Sequence, residues 1–160
     1  MEKQKHADTL RRIRSIADYQ FGKNVGKILF PNEIKVVYSK RTGRIRHIYL
    51  NNRLLATLRP KDGFFSLTIE GAKRIVKEAK PLRCWVKVND DVAQFIAKGR
   101  NLFAKHVVDA DEEIRPNEEV IVIDGEGNLL AVGKAVLTGR EMKRFNAGVA
   151  VRVRKGIKEA

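Results

Sequence analysis

Apolar residues recur at helical spacing near the start of the chain. Leu10, Ile13 and Ala17 form one stripe while Arg11, Arg12 and Arg14 point away from it, which predicts a helix over 4–18. Tyr19 and Phe21 precede Gly22, a natural helix stop, and Asn24 to Gly26 reads as a loop. The period then shortens to that of strands. Ile34–Ser39, Arg44–Leu50 and Arg53–Arg59 read as three strands joined by a Thr42-Gly43 turn and an Asn51-Asn52 turn. Pro60-Lys61-Asp62-Gly63 is a further turn, and Phe64–Leu67 a short strand. Thr68 caps a helix that carries Ile69, Ala72, Ile75, Val76 and Ala79 on one face.

Lys80-Pro81 is the expected domain boundary, because proline stops the helix and the character of the chain changes there. Beyond it the pattern is mostly β. Leu82–Val88 reads as a strand, and Asp90 or Asp91 caps a short helix through Val92, Phe95 and Ile96 that Gly99 ends. Glu119–Ile123, Leu129–Leu137 and Val149–Val153 are three more strands. Gly125-Glu126-Gly127-Asn128 turns between the first two, and a helix over Gly139–Arg144 joins the last two. The expectation is an α+β chain of two small domains, 1–80 and 81–160, the second mostly β.

Hydrophobic residues make up 43% of the 160 positions, enough to bury a core and to exclude a disordered tail. No apolar run approaches the roughly 18 residues of a membrane span, and the charged N-terminus has no signal-peptide core. The single cysteine, Cys84, forms no internal disulfide and fits a reducing compartment. A cytoplasmic protein without a membrane partner is expected.

Charge changes the picture most. Thirty-three Lys and Arg stand against 19 Asp and Glu, a formal net charge of +14, and the usual partner of such an excess is a polyanion. Residues 1–80 hold 19 basic and 7 acidic residues, whereas 81–160 hold 14 and 12. Eight of those acids crowd into 109–126 and make one edge acidic, and the run over 109–119 reads as a solvated loop rather than a metal site. Between Glu33 and Asp62 there is no acid at all, while Arg41, Arg44 and Arg46 sit on a predicted β ribbon among Tyr38, His47 and Tyr49. That ribbon either meets RNA, through phosphate contacts and stacking, or is merely solvated.

Catalytic chemistry finds little purchase. Cys84 lies in an apolar strand pattern, where thiols are inert. His6, His47 and His106 share no metal-ligand spacing, and no phosphate-binding glycine loop occurs. Asp90-Asp91 is explained by a helix cap. No catalytic centre, cofactor or metal is expected. A more specific constellation is Lys98-Gly99-Arg100-Asn101-Leu102-Phe103-Ala104-Lys105-His106, in which a glycine after a short helix lets backbone approach a ligand and the cations suit phosphate.

That segment, with Glu118-Glu119-Val120-Ile121-Val122-Ile123-Asp124, Leu130-Ala131-Val132-Gly133-Lys134-Ala135 and the closing Gly148-Val149-Ala150-Val151-Arg152-Val153-Arg154, resembles the PUA domain from about 82 to 155. The resemblance implies a pseudo-barrel that binds RNA through its helix–glycine loop and last strand. It implicates Lys98, Gly99, Arg100, Asn101, Lys105 and His106, with Arg152, Arg154 and Lys155 opposite. Val149, Val151 and Val153 would face the core while the residues between them face RNA.

Ala17-Asp18-Tyr19-Gln20-Phe21-Gly22, Arg41-Thr42-Gly43-Arg44-Ile45-Arg46 and Asp62-Gly63-Phe64-Phe65-Ser66-Leu67-Thr68 look like the domain that precedes PUA in archaeal tRNA-guanine transglycosylase and archaeosine synthase. The catalytic barrel of those enzymes has no counterpart in this sequence. The resemblances imply a tRNA-binding module without a catalytic centre, stand-alone or one subunit of a split archaeosine-type enzyme. Its expected partners are tRNA and a catalytic tRNA-modifying subunit. The alternative is a general RNA-binding adaptor in translation or ribosome biogenesis.

Overall fold

A computed structural model describes residues 1–159, and the chain divides into two compact units between Leu82 and Arg83. In the first unit, helix α1 (Glu2–Phe21) is longer at both ends than the expected 4–18. Its buried stripe of Leu10, Ile13 and Ala17 continues to Phe21, which is buried as well, so burial carries the helix up to Gly22. The expected loop at 24–26 is instead the start of a second helix, α2 (Val25–Leu29). Five residues are too few to show a period. Asp18 Oδ1 accepts the Gly26 N–H at 2.7 Å and so satisfies one of the donors left open at that helix start.

Strands β1 (Lys35–Tyr38), β2 (Ile45–Leu50), β3 (Arg53–Leu58) and β4 (Phe65–Leu67) form an antiparallel sheet in that spatial order. Asn51 and Asn52 adopt the left-handed backbone that the β2–β3 hairpin requires. The outer edge of β4 is covered by a side chain: Gln20 donates to the Phe65 carbonyl at 2.7 Å and accepts its N–H at 2.8 Å. Helix α3 (Ile69–Glu78) follows, capped by Thr68 Oγ1 accepting the Gly71 N–H at 3.1 Å. Phe30 and Phe65 meet in the core with ring centroids 5.1 Å apart.

The second unit is a six-stranded, nearly closed PUA-like sheet. Its strands are β5 (Trp85–Val88), β6 (Leu102–Phe103), β7 (Val107–Ala110), β8 (Glu119–Ile123), β9 (Leu129–Ala135) and β10 (Val149–Gly156). The order is β6-β10-β9-β8-β5-β7, with β5 and β8 parallel and the other pairs antiparallel. Two short helices, α4 (Ala93–Ala97) and α5 (Gly139–Arg144), pack on it. Val86, Ile96, Leu102, Val120, Met142 and Val151 are among its core residues.

Several expectations are corrected here. The strand expected from Leu82 begins only at Trp85, because Cys84 has a left-handed backbone (φ 60) and its N–H donates to Asp111 Oδ2 at 2.7 Å. Neither Asp90 nor Asp91 caps the following helical turn; Asn89 does, through Oδ1 and the Asp91 N–H at 3.0 Å. Strands β6 and β7 went unread because they are too short for a period. The alternation on β10 fails at two bulges, one between Val149 and Val151 and one between Val153 and Lys155, so Ala150 and Val151 are both buried.

The β9–β10 pairing is tight at Gly133, where a Cβ would collide with the Arg152 carbonyl and lie 2.9 Å from the Val153 Cα. Gly133→Val is therefore expected to cost about 1–3 kcal/mol and to lower the midpoint of denaturant unfolding. A midpoint equal to the parent's would show that the two strands can separate at no cost.

Candidate nucleic-acid interface

The sequence-predicted residues of the second unit are spread along β10, with Gly99 packed against Gly156 at its end and the Ala104–His106 turn tied to Gly148 just before its start. Helix α4 closes at Gly99 (φ 97), whose N–H donates to the Ile96 carbonyl at 2.9 Å. Lys98, Arg100 and Asn101 follow with exposed side chains. The chain then enters β6, which pairs with β10 through Leu102↔Val151 and Phe103↔Val149. Asn101 Oδ1 accepts the Val153 N–H at 3.0 Å and ties the loop to β10. Lys105 is exposed on the turn Ala104–His106, while His106 is half-buried and its carbonyl accepts the Asn89 N–H at 2.9 Å. Arg152 and Lys155 are exposed on β10.

Other residues of that set have local duties. The space a side chain would need at Gly99 is taken by the Glu159 carboxylate, so the glycine serves the helix end and this contact rather than an open approach. Glu159 is held by the Gly156 N–H at 3.1 Å and lies 3.8 Å from Lys155 Nζ. Arg154 is engaged by Glu119, whose side chain is fully buried. Nη1 donates to Oε1 at 2.9 Å, and Nη2 pairs with Oε2. The acidic stretch is thus only partly a solvated edge: Glu119 is a core residue and Asp111 caps the Cys84 N–H. Glu112 and Asp109 pair with Lys143 at 3.1 and 3.4 Å.

Sequence reasoning missed three side chains at this face. Phe95 and Phe103 are half-exposed, at 52% and 45%, and stand in the sequence on either side of Arg100. Exposed aromatics beside cations are a stacking platform for bases. Phe95 shares helical spacing with Val92 and Ile96, which gives no sign of that exposure. Lys134 stands opposite Arg152 in the β9–β10 register and is exposed. In the first unit, Arg41 and Arg44 are exposed between β1 and β2, while Arg46 is half-buried with Nη1 3.5 Å from the Leu58 carbonyl. His47 is bonded to Thr57 Oγ1 at 3.1 Å and the Tyr38 hydroxyl to Thr9 Oγ1 at 3.2 Å.

Cys84 is buried, and burial, reinforced by the nearby Asp111 carboxylate, pushes its thiol up to about 12. No group of three His, Cys, Asp or Glu side chains that could hold a metal occurs among the described residues. No described helix is long and apolar enough to cross a membrane.

Residues 85–157 match the PUA domain, and residues 11–81 match the patch-forming domain C2 of tRNA-guanine transglycosylase. The chain is a PUA-domain protein. It is similar, over nearly its whole length, to the C-terminal region of archaeal tRNA-guanine(15) transglycosylases. It is 43% identical over 93% of its residues to that of Methanothermobacter thermautotrophicus, and 43% identical over 98% to that of Pyrococcus abyssi. It spans only 23% and 26% of those two relatives. Among solved structures, a hypothetical protein of Pyrococcus horikoshii shares the fold with a TM-score of 0.74 at 23% identity, covering 94% of this chain and 90% of that one. A conserved PUA domain protein from Thermoplasma acidophilum matches with a TM-score of 0.67 at 18% identity, over 96% and 91%.

The two arginines of β10 should separate cleanly. Arg154→Ala leaves the buried Glu119 carboxylate without its partner and is expected to cost about 3 kcal/mol, seen as a lowered Tm. Arg152→Ala should leave Tm within about a degree of the parent's. Equal Tm values for the two variants would deny the Glu119 pair its structural role. Cys84, held protonated and buried, should resist iodoacetamide at mildly alkaline pH in the native chain and react once the chain is unfolded. Rapid alkylation of the native chain would contradict the burial.

Proposed function

We propose that this chain is a tRNA-recognition module of archaeosine-type tRNA modification, with residues 1–80 as a basic domain preceding an RNA-binding domain at 81–160. The similarity of nearly the whole chain to the C-terminal region of tRNA-guanine(15) transglycosylases carries the reading. In it, the RNA groove of the PUA unit is lined by Lys98, Arg100, Lys105, His106, Arg152 and Lys155. Asn101 and Gly99 fix the loop, and Phe95 and Phe103 add faces on which bases stack. Arg154 contributes charge from the position Glu119 gives it. Arg41, Arg44 and Arg46 form a secondary contact.

The chemistry of base exchange is assigned to a catalytic partner. The thiol of Cys84 is too well buried to act as a nucleophile. The cations of the groove supply phosphate contacts that position an RNA, and these carry little sequence information. Selectivity then comes from the shape of the folded tRNA and its hydroxyls.

The test is a salt titration of tRNA binding. Affinity should fall steeply with salt, and Arg100→Ala or Arg152→Ala should each flatten the log–log slope by about one while weakening binding several-fold. Purified alone, the chain should not incorporate labelled deazaguanine into tRNA. A salt-independent affinity, or base exchange by this chain without another protein, would overturn the reading.

A further inference from the structure

Two turns at the same end of the four-stranded sheet are built alike. One spans Ser39–Arg44, between β1 and β2; the other spans Arg59–Phe64, between β3 and β4. In each, the first N–H donates to the last carbonyl, Ser39 to Arg44 at 2.7 Å and Arg59 to Phe64 at 2.8 Å. In each, a glycine N–H donates back to the first carbonyl at 2.9 Å, from Gly43 and from Gly63. Both glycines take a left-handed backbone, φ 72 and 76, that the turn demands. The residue before each glycine accepts the N–H two positions on: Thr42 Oγ1 from Arg44 at 3.3 Å, and Asp62 Oδ1 from Phe64 at 2.9 Å. The sequence writes this as Thr-Gly and Asp-Gly, but only the sheet order sets the two turns side by side.

Between these turns and the first half of α1 lies a cleft of about 900 Å³. Its cations are Lys5, Arg12, Arg41, Arg44, Arg46 and Arg59. None of the described residues that line it is acidic. Like Arg46, and unlike the four others, Arg59 is half-buried. Its side chain is 15% exposed and is braced by Asp62, with Nη2 to Oδ2 at 3.0 Å and Nε to Oδ1 at 3.2 Å. Its Nη1 is buried with no hydrogen-bond partner. A buried guanidinium N–H without an acceptor is costly, and so is the mutual repulsion of cations around one hollow. A bound anion relieves both at once. The volume sits at the upper end of small-ligand pockets, about 300–1,000 Å³, which gives room for a nucleotide or two and none for a duplex.

We propose that this cleft is a second RNA site that takes the phosphate of an unpaired nucleotide. A small shift of the Arg59 side chain uncovers Nη1, which donates to a phosphate oxygen, and Arg12, Arg44 and Arg46 flank it. Asp62 holds the guanidinium from behind and keeps the fork at the wall of the cleft. The assignment rests on the chain being an RNA-binding protein and turns the secondary contact at Arg41, Arg44 and Arg46 into a defined site for single-stranded RNA built around Arg59.

The test uses the full chain, isotope-labelled, and follows its amide signals during titration with a single-stranded RNA oligomer, a blunt RNA duplex of equal length, guanosine monophosphate and inorganic phosphate. The oligomer should shift the Gly43 and Gly63 amides, and the duplex should leave them in place. Arg59→Gln should weaken oligomer binding about tenfold, the scale of one charged hydrogen bond. The double variant Arg12→Ala/Arg44→Ala, which replaces exposed side chains only, should do the same with the fold intact. Guanosine monophosphate and phosphate should shift the same amides at higher concentrations. If either small ligand binds more tightly than the oligomer, the cleft serves free phosphates and the proposal falls. It falls too if the oligomer leaves Gly43 and Gly63 unmoved, or if the double variant binds like the parent. In those cases loss of tRNA binding by Arg100→Ala would keep the PUA reading intact. A parent chain that binds no RNA at all would remove both.

Discussion

A carboxylate with no access to water has to be answered by a charge, and in the second unit that requirement falls on Glu119. It opens β8, a strand whose five residues are all buried. The guanidinium of Arg154 meets it from β10, two strands away, and offsets the cost of burying its charge. That pair fixes where β10 runs after Val153. With Arg154 drawn to Glu119, the register shifts by one residue, and Lys155 comes to stand opposite Val132. The shift places both Arg152 and Lys155 on the outside, although they are an odd number of positions apart.

The second anchor of the same strand lies at its far end. Gly156 is packed so closely on α4 that a Cβ would strike the Ala97 carbonyl, and the Lys158 N–H donates to that same carbonyl at 2.8 Å. The Gly99 loop therefore abuts the end of β10. Asn101 adds the third tie through the Val153 N–H. The loop and the strand that carry the groove's cations are thus one rigid piece, joined by backbone donors rather than by the cations themselves. Arg100, Lys105 and Arg152 are left with no part in the tie, which is what a contact surface for phosphates requires.

The sequence was legible where its pattern is long or its turn chemistry strict. The stripe of α1, the Asn51-Asn52 hairpin, the Thr68 cap and helix α5 all rest on local rules, and the structure obeys them. What escaped were features set by partners remote in the chain. Strand β6 is two residues held by β10, some fifty positions later. The alternation Val149–Val153 looked like one buried face, but bulges are dictated by the neighbouring strands and leave no periodic trace. Phe95 falls at helical spacing with Val92 and Ile96, which gives no sign that its ring is exposed. A helix of five residues shows too little of a face for that spacing to decide. Arg59 shows in the sequence only as the last residue of a predicted strand, since a buried, unmatched nitrogen is a property of packing alone.

Charge totals also mislead in a way the structure explains. The second half is nearly neutral by count, which taken alone would make it the weaker binder of a polyanion. Yet its acids are largely occupied at short range. Glu119 is answered by Arg154, Asp111 by the Cys84 N–H, Glu112 by Lys143, and Asp124 by the N–H groups of its own turn at 2.9 Å. An acid paired with a cation, as Glu119 and Glu112 are, has a field that falls off quickly, and at about 0.1 M salt screening removes what remains beyond roughly 10 Å. Of the exposed cations of the groove only Lys155 has an acid beside it, Glu159 at 3.8 Å, and Lys98, Arg100, Lys105 and Arg152 have no ion pair among the described residues. The first half is basic by count, and six of its cations line one cleft. In the proposed reading the exposed phenylalanines of the second unit stack only on bases that are themselves unpaired, and the cleft of the first has no room for a duplex, so both surfaces suit the parts of a folded RNA where a strand has left the helix.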